Sequence, residues 1–232
     1  QRAQLIAELR SLNIADLDNS MLERTARYAL EIGGLDVAVT SYKALAERDA
    51  ERRTHWLGEA ALWSLANNDQ SGAAQLYLQL AEAEPDAQKR LELLREAFNA
   101  LRAANHSAQA AELLAQHLGE LNAEQESLDW LAEGVDAAQA AQRFDLAETF
   151  VQHWLSLKSD DHRALNADFR LSLASGAIER AWQLGPQLLE QAPDDFELMA
   201  ELARLAEWTG HTQQALNYWV QMLAHQEDPA MR

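Results

Sequence analysis

The 232-residue sequence contains no cysteine. That excludes a disulfide framework and any Cys-ligated zinc or iron–sulfur centre, and it leaves the compartment open. Nowhere do eighteen apolar residues run together, the length a helix needs to cross a bilayer, and no charged-then-apolar leader is present. Valine and isoleucine are scarce: Val37, Val39, Val135, Val151, Val220, Ile6, Ile14, Ile32 and Ile178 are all there are. Strands draw on such β-branched residues. Ala, Leu, Glu and Gln dominate instead, and these are small or straight-chain helix formers. Only four prolines and nine glycines interrupt them. The composition is that of an all-α chain. Basic residues are also few, 19 Lys and Arg against 37 Asp and Glu, for a net charge of -18. Such a charge disfavours non-specific contact with nucleic acid or anionic membrane and mildly favours cationic partners. The first residue is Gln1 rather than Met. The expectation is therefore a segment of a longer protein, whose other parts hold any targeting or membrane signal.

What is present is a repeat. In "AEWTGHTQQALNYW" a turn residue, Gly210, lies five before Ala215, and a bulky residue, Trp219, lies four after it. The same offsets recur at Gly33–Ala38–Tyr42, Asn68–Ala73–Tyr77, Asn105–Ala110–Leu114, Gln142–Ala147–Val151 and Gly176–Ala181–Gly185. The anchor alanines are 35, 37, 37, 34 and 34 residues apart, and Pro85 and Pro193 each follow an anchor by twelve. The two longer spacings predict longer loops near 86–90 and 120–126. Gly185–Pro186 predicts a kinked or late second helix in the fifth copy.

This pattern resembles the tetratricopeptide (TPR) family over the whole chain. The resemblance implies an all-α, right-handed superhelical solenoid of antiparallel helix pairs, with about six TPR-like repeats. A turn residue that tolerates positive φ closes each pair. The anchor alanine sits where the helices cross, and neighbouring pairs stack because one pair cannot bury its apolar face alone. The copies are expected at 20–53, 55–88, 92–125, 129–162, 163–196 and 197–229. Residues 1–19, with apolar Leu5, Ile6, Leu9 and Leu12, read as the second helix of a preceding repeat. Residues 230–232 read as the start of a truncated next one.

In such an array the first helices line the inner groove. The positions 18, 15, 11 and 8 before each anchor are then Ser20, Glu23, Arg27 and Leu30; His55, Gly58, Leu62 and Leu65; Glu92, Arg95, Asn99 and Arg102; Asp129, Ala132, Asp136 and Gln139; Arg163, Asn166, Arg170 and Leu173; Glu197, Ala200, Arg204 and Glu207. Six arginines map to this face in a strongly acidic chain. Arginine suits bidentate contact with carboxylates. One reading is a groove that grips an acidic segment of a partner through Arg95, Arg102, Arg163, Arg170 and Arg204. Asn99 and Asn166 would bond the segment's backbone, with Asp136 among them. The other reading is internal pairing with Glu23, Glu92, Asp129, Asp136 and Glu197, each pair contributing about 0–1 kcal/mol.

Trp56, Trp154 and Trp219 fall at packing offsets and are expected in the core. Trp130 and Trp208 lie near the ends of first helices, where burial competes with service as aromatic anchors for a partner or a sugar ring. The seven histidines show no HExxH or similar ligand spacing. No glycine loop for phosphate is present, and the doublets Asp160–Asp161 and Asp194–Asp195 read as helix caps. The expectation is a protein that is not an enzyme, with no cofactor, no metal and no nucleic-acid partner.

A narrower resemblance rests on "LARLAEWTGHTQQALNYWVQMLA", about a tenth of the chain, and on the Leu/Ala/Gln/Trp-rich copies. They look like the periplasmic repeat region of the PelB family, the outer-membrane exporters of the Pel exopolysaccharide in Gram-negative bacteria. Exporters of cellulose and poly-N-acetylglucosamine have similar arrays. The resemblance implies a periplasmic scaffold ahead of a β-barrel pore. It also implies docking of a polysaccharide deacetylase or hydrolase and guidance of a cationic polysaccharide, with no membrane insertion by this segment. The alternative is a peptide-binding TPR adaptor of the carboxylate-clamp type, in the cytoplasm. There Arg95, Asn99 and Arg102 with Arg163, Asn166 and Arg170 supply the chemistry, although such clamps use adjacent repeats and these sets stand two repeats apart.

Overall fold

In the computed structural model, residues 1–226 are described, and among them the only regular structure is helical. The expected further helix at 230–232 lies outside the described residues. The helices are α1 (Arg2–Arg10), α2 (Asn19–Ile32), α3 (Leu35–Arg48), α4 (Arg53–Ala66), α5 (Gln70–Ala83), α6 (Ala87–Ala103), α7 (Ser107–His117), α8 (Gln125–Ala140), α9 (Phe144–Leu157), α10 (His162–Ser175), α11 (Ile178–Gln191), α12 (Phe196–Trp208) and α13 (Thr212–Gln226). Two short 3-10 turns, Ile14–Asp16 and Leu118–Glu120, join some of them. No described helix is long and apolar enough to cross a membrane. The chain divides into two compact units, 1–116 and 117–232.

Six helix hairpins run from α2/α3 to α12/α13, and one backbone motif closes all six. Gly33, Asn68, Asn105, Gln142, Gly176 and Gly210 have φ between 57° and 80°. These are the turn residues five before each anchor. The amide after each donates to the carbonyl five residues back: Gly34 to Ala29, Asp69 to Ser64, His106 to Leu101, Arg143 to Ala138, Ala177 to Ser172 and His211 to Ala206, at 2.7–2.9 Å. This is the bond of a Schellman cap. The anchor alanine's amide then closes the first turn of the second helix, as Ala147 does to the Arg143 carbonyl at 3.1 Å. With one helix capped and the next begun after two or three residues, the pair is forced antiparallel and close. The six anchors are accordingly 0–2% exposed.

Four of the six first helices start on aspartate caps. Asp18, Asp86, Asp161 and Asp195 each accept from a backbone amide of the following turn, satisfying donors that have no partner within the helix. Within unit 117–232, Asp168 is 4% exposed and takes both oxygens' worth of bonding from Arg180, at 2.9 and 2.8 Å. That bidentate bond ties α10 to α11 and holds the Arg180 guanidinium above its usual range. The core of this unit gathers Leu165, Phe169, Leu184, Leu188, Leu198 and Leu202. In unit 1–116 the core gathers Leu22, Tyr42, Leu45, Trp56, Leu57 and Leu76. There α1 lies against the first hairpin through half-buried Leu9 and through polar straps. Arg10 Nε donates to Asp36 at 2.6 Å, and Arg48 Nη1 holds the segment after α1 by donating to the Leu17 carbonyl at 2.6 Å.

Two local expectations are corrected. Residues 86–90 are not a loop: α6 begins at Ala87 and runs 17 residues, so the longer spacing there is absorbed by a longer first helix. The second helix of the fifth hairpin does not start late. It begins at Ile178, because the turn at Gly176 sets its start, and it runs on through Pro186. Gly185 stands at the bulky-residue position because Leu202, reaching over from α12, occupies that volume. A Cβ on Gly185 would lie 2.0 Å from Leu202 Cδ2.

Gln142 pays a conformational cost that glycine would not, since an L side chain in the left-handed region costs about 1–2 kcal/mol. Nothing stands within 4 Å of a Cβ built on Gly176, so that position isolates the backbone term. Urea unfolding should show Gln142→Gly more stable by about 0.5–1 kcal/mol and Gly176→Ala less stable by about 1 kcal/mol.

Candidate functional site

The inner-face residues separate by unit. In unit 1–116, Arg27 is paired with Glu23, one turn away on α2, and Arg52 Nη1 stands 3.8 Å from the same carboxylate. On α6, Arg95 and Arg102 stand over the Phe98 ring, 5.8 and 5.7 Å from its centroid, and Asn99 is exposed. Leu62 on α4 is exposed, in keeping with the apolar stretch read for that copy.

Unit 117–232 brings four of the predicted residues together. Asp136 on α8 and Arg163, Asn166 and Arg170 on α10 line one cleft of about 250 Å³. The first helices α8 and α10 supply its walls, and the buried Trp154 of α9, 1% exposed, supplies part of its base with Val135. Register explains the grouping, because Ala132/Asn166 and Asp136/Arg170 are equivalent positions one repeat apart.

The cleft's charges are unequal in kind. At one end Arg163 Nη1 donates to Asp129 Oδ1 at 2.7 Å, and its guanidinium lies 5.1 Å over the Trp154 ring. Internal pairing, the second of the two readings of the arginines, therefore describes Arg163. At the other end Asp136 and Arg170 are both exposed. Among the described residues, Arg170's sole side-chain bond is to Asn166 Oδ1, at 3.3 Å, and Asp136 has no ion pair. Arg204, at the equivalent position on α12, is exposed and likewise has no ion pair among the described residues. His153, also on α9, has its Nε2 buried, and burial pushes that imidazole's pKa down.

The tryptophans divide differently from the expectation. Trp130 is 3% exposed, so it belongs to the core and presents no ring to a partner. It faces inward because it lies within the apolar stripe of α8 with Leu131 and Val135. Trp208 is 84% exposed at the end of α12. Trp56 is buried, stacked on Tyr42 at 5.9 Å. Trp219 is only half-buried, and its Nε1 donates to Glu207 Oε1 at 2.9 Å. Sequence reasoning did not anticipate the stacking of Trp182 on His211, 4.7 Å apart and 18° from parallel, nor the Asp168–Arg180 pair.

No protein-family model and no curated protein matches the chain. Solved structures do. The C-terminal part of a TPR repeat-containing protein from Cytophaga hutchinsonii is 14% identical, with a TM-score of 0.56 over 96% of this chain and 90% of that one. A structure of MamA MSR-1 is 14% identical, with a TM-score of 0.51 over 77% of this chain and 100% of that one. At such identities the likeness concerns the fold. The chain is an all-α solenoid of the kind built by TPR proteins.

Removing a side chain that touches almost nothing should cost almost nothing. Trp208→Ala should leave urea stability within about 0.5 kcal/mol of the parent, whereas Trp154→Ala should lower it by about 3–5 kcal/mol.

Proposed function

We propose that this chain is a non-catalytic protein-binding scaffold, the periplasmic repeat segment of an exopolysaccharide exporter of the PelB type. It docks a polysaccharide deacetylase or hydrolase and helps guide a cationic, deacetylated polymer toward an outer-membrane pore. The observation that carries the scaffold reading is the α8–α10 cleft, where first helices present exposed charged side chains on a rigid hairpin framework. Sites on helices are held more firmly than sites on loops. The exporter reading is supported by the "AEWTGHTQQALNYW" string, which forms the α12–α13 turn and leaves Trp208 outward, and by the net charge of -18, which suits a cationic polymer.

The carboxylate-clamp adaptor has one observation in its favour: Arg170 and Arg204 stand at equivalent positions on α10 and α12, exposed and, among the described residues, without ion pairs. Against it, Arg163 is engaged by Asp129, and Asp136 faces the same cleft as Arg170.

Six hairpins offer area for a standard interface of about 1,200–2,000 Å². Mixing the purified chain with the modifying enzyme of the same export system should give a saturable complex in sedimentation or interferometry. The triple change Arg95→Ala, Arg102→Ala and Arg170→Ala should weaken that complex if the inner face carries the contact. Absence of any complex contradicts enzyme docking.

A further inference from the structure

Asp136 and Arg170 occupy the same register position on consecutive first helices, each eleven residues before its anchor alanine. They line one cleft, both are exposed, and they carry opposite charge. Yet among the described residues they form no ion pair with each other, and neither pairs with any other charged group. Two turns toward the helix starts, the corresponding pair Asp129 and Arg163 does close, at 2.7 Å. The cleft thus has one end where opposite charges satisfy each other and one end where they stand apart. Half-buried Gln139 and Asn166 line the same cleft, and their amides offer both donors and acceptors.

The open end selects for a particular occupant. A wholly acidic segment meets Asp136, and a wholly basic one meets Arg170. A like charge held close in a groove costs more than it does in free solution. A segment carrying one charge of each sign satisfies both. Packed helices stand about 8–10 Å apart, and in an extended chain residues i and i+2 point the same way about 6.5–7 Å apart. A Lys or Arg two residues from an Asp or Glu therefore spans the two walls, while Gln139 and the free amide nitrogen of Asn166 bond the backbone between them.

We propose that the α8–α10 cleft is a bipolar docking site for an extended peptide segment of a protein partner, with Asp136 receiving its cation and Arg170 its carboxylate. This rests on the protein-docking reading given above and adds the chemistry of the docked segment. It also replaces the acidic segment expected from the arginines alone. The cleft is non-directional in chain sense, since either order of the two charges fits one of the two chain directions.

Three blocked hexapeptides test it by amide chemical-shift titration of the isotopically labelled chain at low salt: Ac-Ser-Lys-Gly-Glu-Gly-Ser-NH2, the same peptide with Lys at both charged positions, and the same with Glu at both. The mixed peptide should bind at least about fivefold more tightly than either of the others, as expected for two charge-assisted contacts against one. Its shifts should centre on the α8 and α10 amides. Asp136→Asn should abolish the advantage of the mixed peptide over the double-Glu one. Arg170→Gln should abolish its advantage over the double-Lys one. The exchange Asp136→Arg with Arg170→Asp should restore the mixed preference, which separates charge placement from damage to the fold. Strongest binding of the double-Lys peptide, the result net charge alone would give, overturns the inference. Strongest binding of the double-Glu peptide overturns it in favour of a clamp, and no localised shift up to millimolar peptide also overturns it. Should the modifying enzyme still dock to a chain whose cleft shows no peptide preference, this inference fails alone and the docking reading stands.

Discussion

Close approach of two helices at an alanine is the constraint from which the rest of this structure follows. The approach needs a connection of two or three residues, and a connection that short needs one residue in the left-handed region to turn the chain back. All six hairpins meet both needs in the same way, with φ of 57–80° at the turn residue and a 2.7–2.9 Å bond from the next amide to the capped helix. Once the turn is fixed, the side-chain register of both helices is fixed with it. That register decides which residues face a neighbouring hairpin and which remain on the open face of the first helix.

Function enters through the residues the register leaves over. Position eleven before the anchor faces outward in every copy of unit 117–232, and it carries Asp136, Arg170 and Arg204. The position two turns earlier in the chain is already committed in part, as Arg163 shows by bonding Asp129 and covering Trp154. A surface ion pair of that kind adds little stability. Its larger effect is to fix the guanidinium, so that the cleft has a closed end and an open end. The chain's net charge of -18 acts over a longer range and is screened within about 8 Å at physiological salt. In the docking proposed above, it sets which partners approach, while the open end of the cleft sets which segment stays.

Much of this was legible in the sequence. The anchor alanines and the turn residues were read from spacing alone, because the left-handed turn and the crossing point admit few residue types, and the solenoid class followed. The misreadings have local causes. Residues 86–90 looked like an insertion between helices, but nothing there breaks a helix, and α6 extends through them. Gly185–Pro186 looked like a defect in the second helix. Its meaning depends on Leu202, a residue seventeen positions away that fills the space, and no local pattern reveals that. Trp130 is no misreading: of the two readings its position leaves open, burial and service as an anchor, the apolar stripe of α8 selects burial. At the site, spacing identified Asp136, Arg163, Asn166 and Arg170 as facing one way. Which of them are already paired is a matter of rotamers and distances, and these appear only in three dimensions.

The crossing alanines bear the central claim, and a leucine scan reaches it most directly. Ala38, Ala73, Ala110, Ala147, Ala181 and Ala215 would each be changed to Leu, with helix-surface Ala103 and Ala140 as controls, and stability read by urea unfolding. Each of the six should lose about 1–3 kcal/mol, the usual cost of overpacking a closed contact, and the two controls should lose almost nothing. Six anchors that accept leucine as readily as Ala103 does would contradict the account.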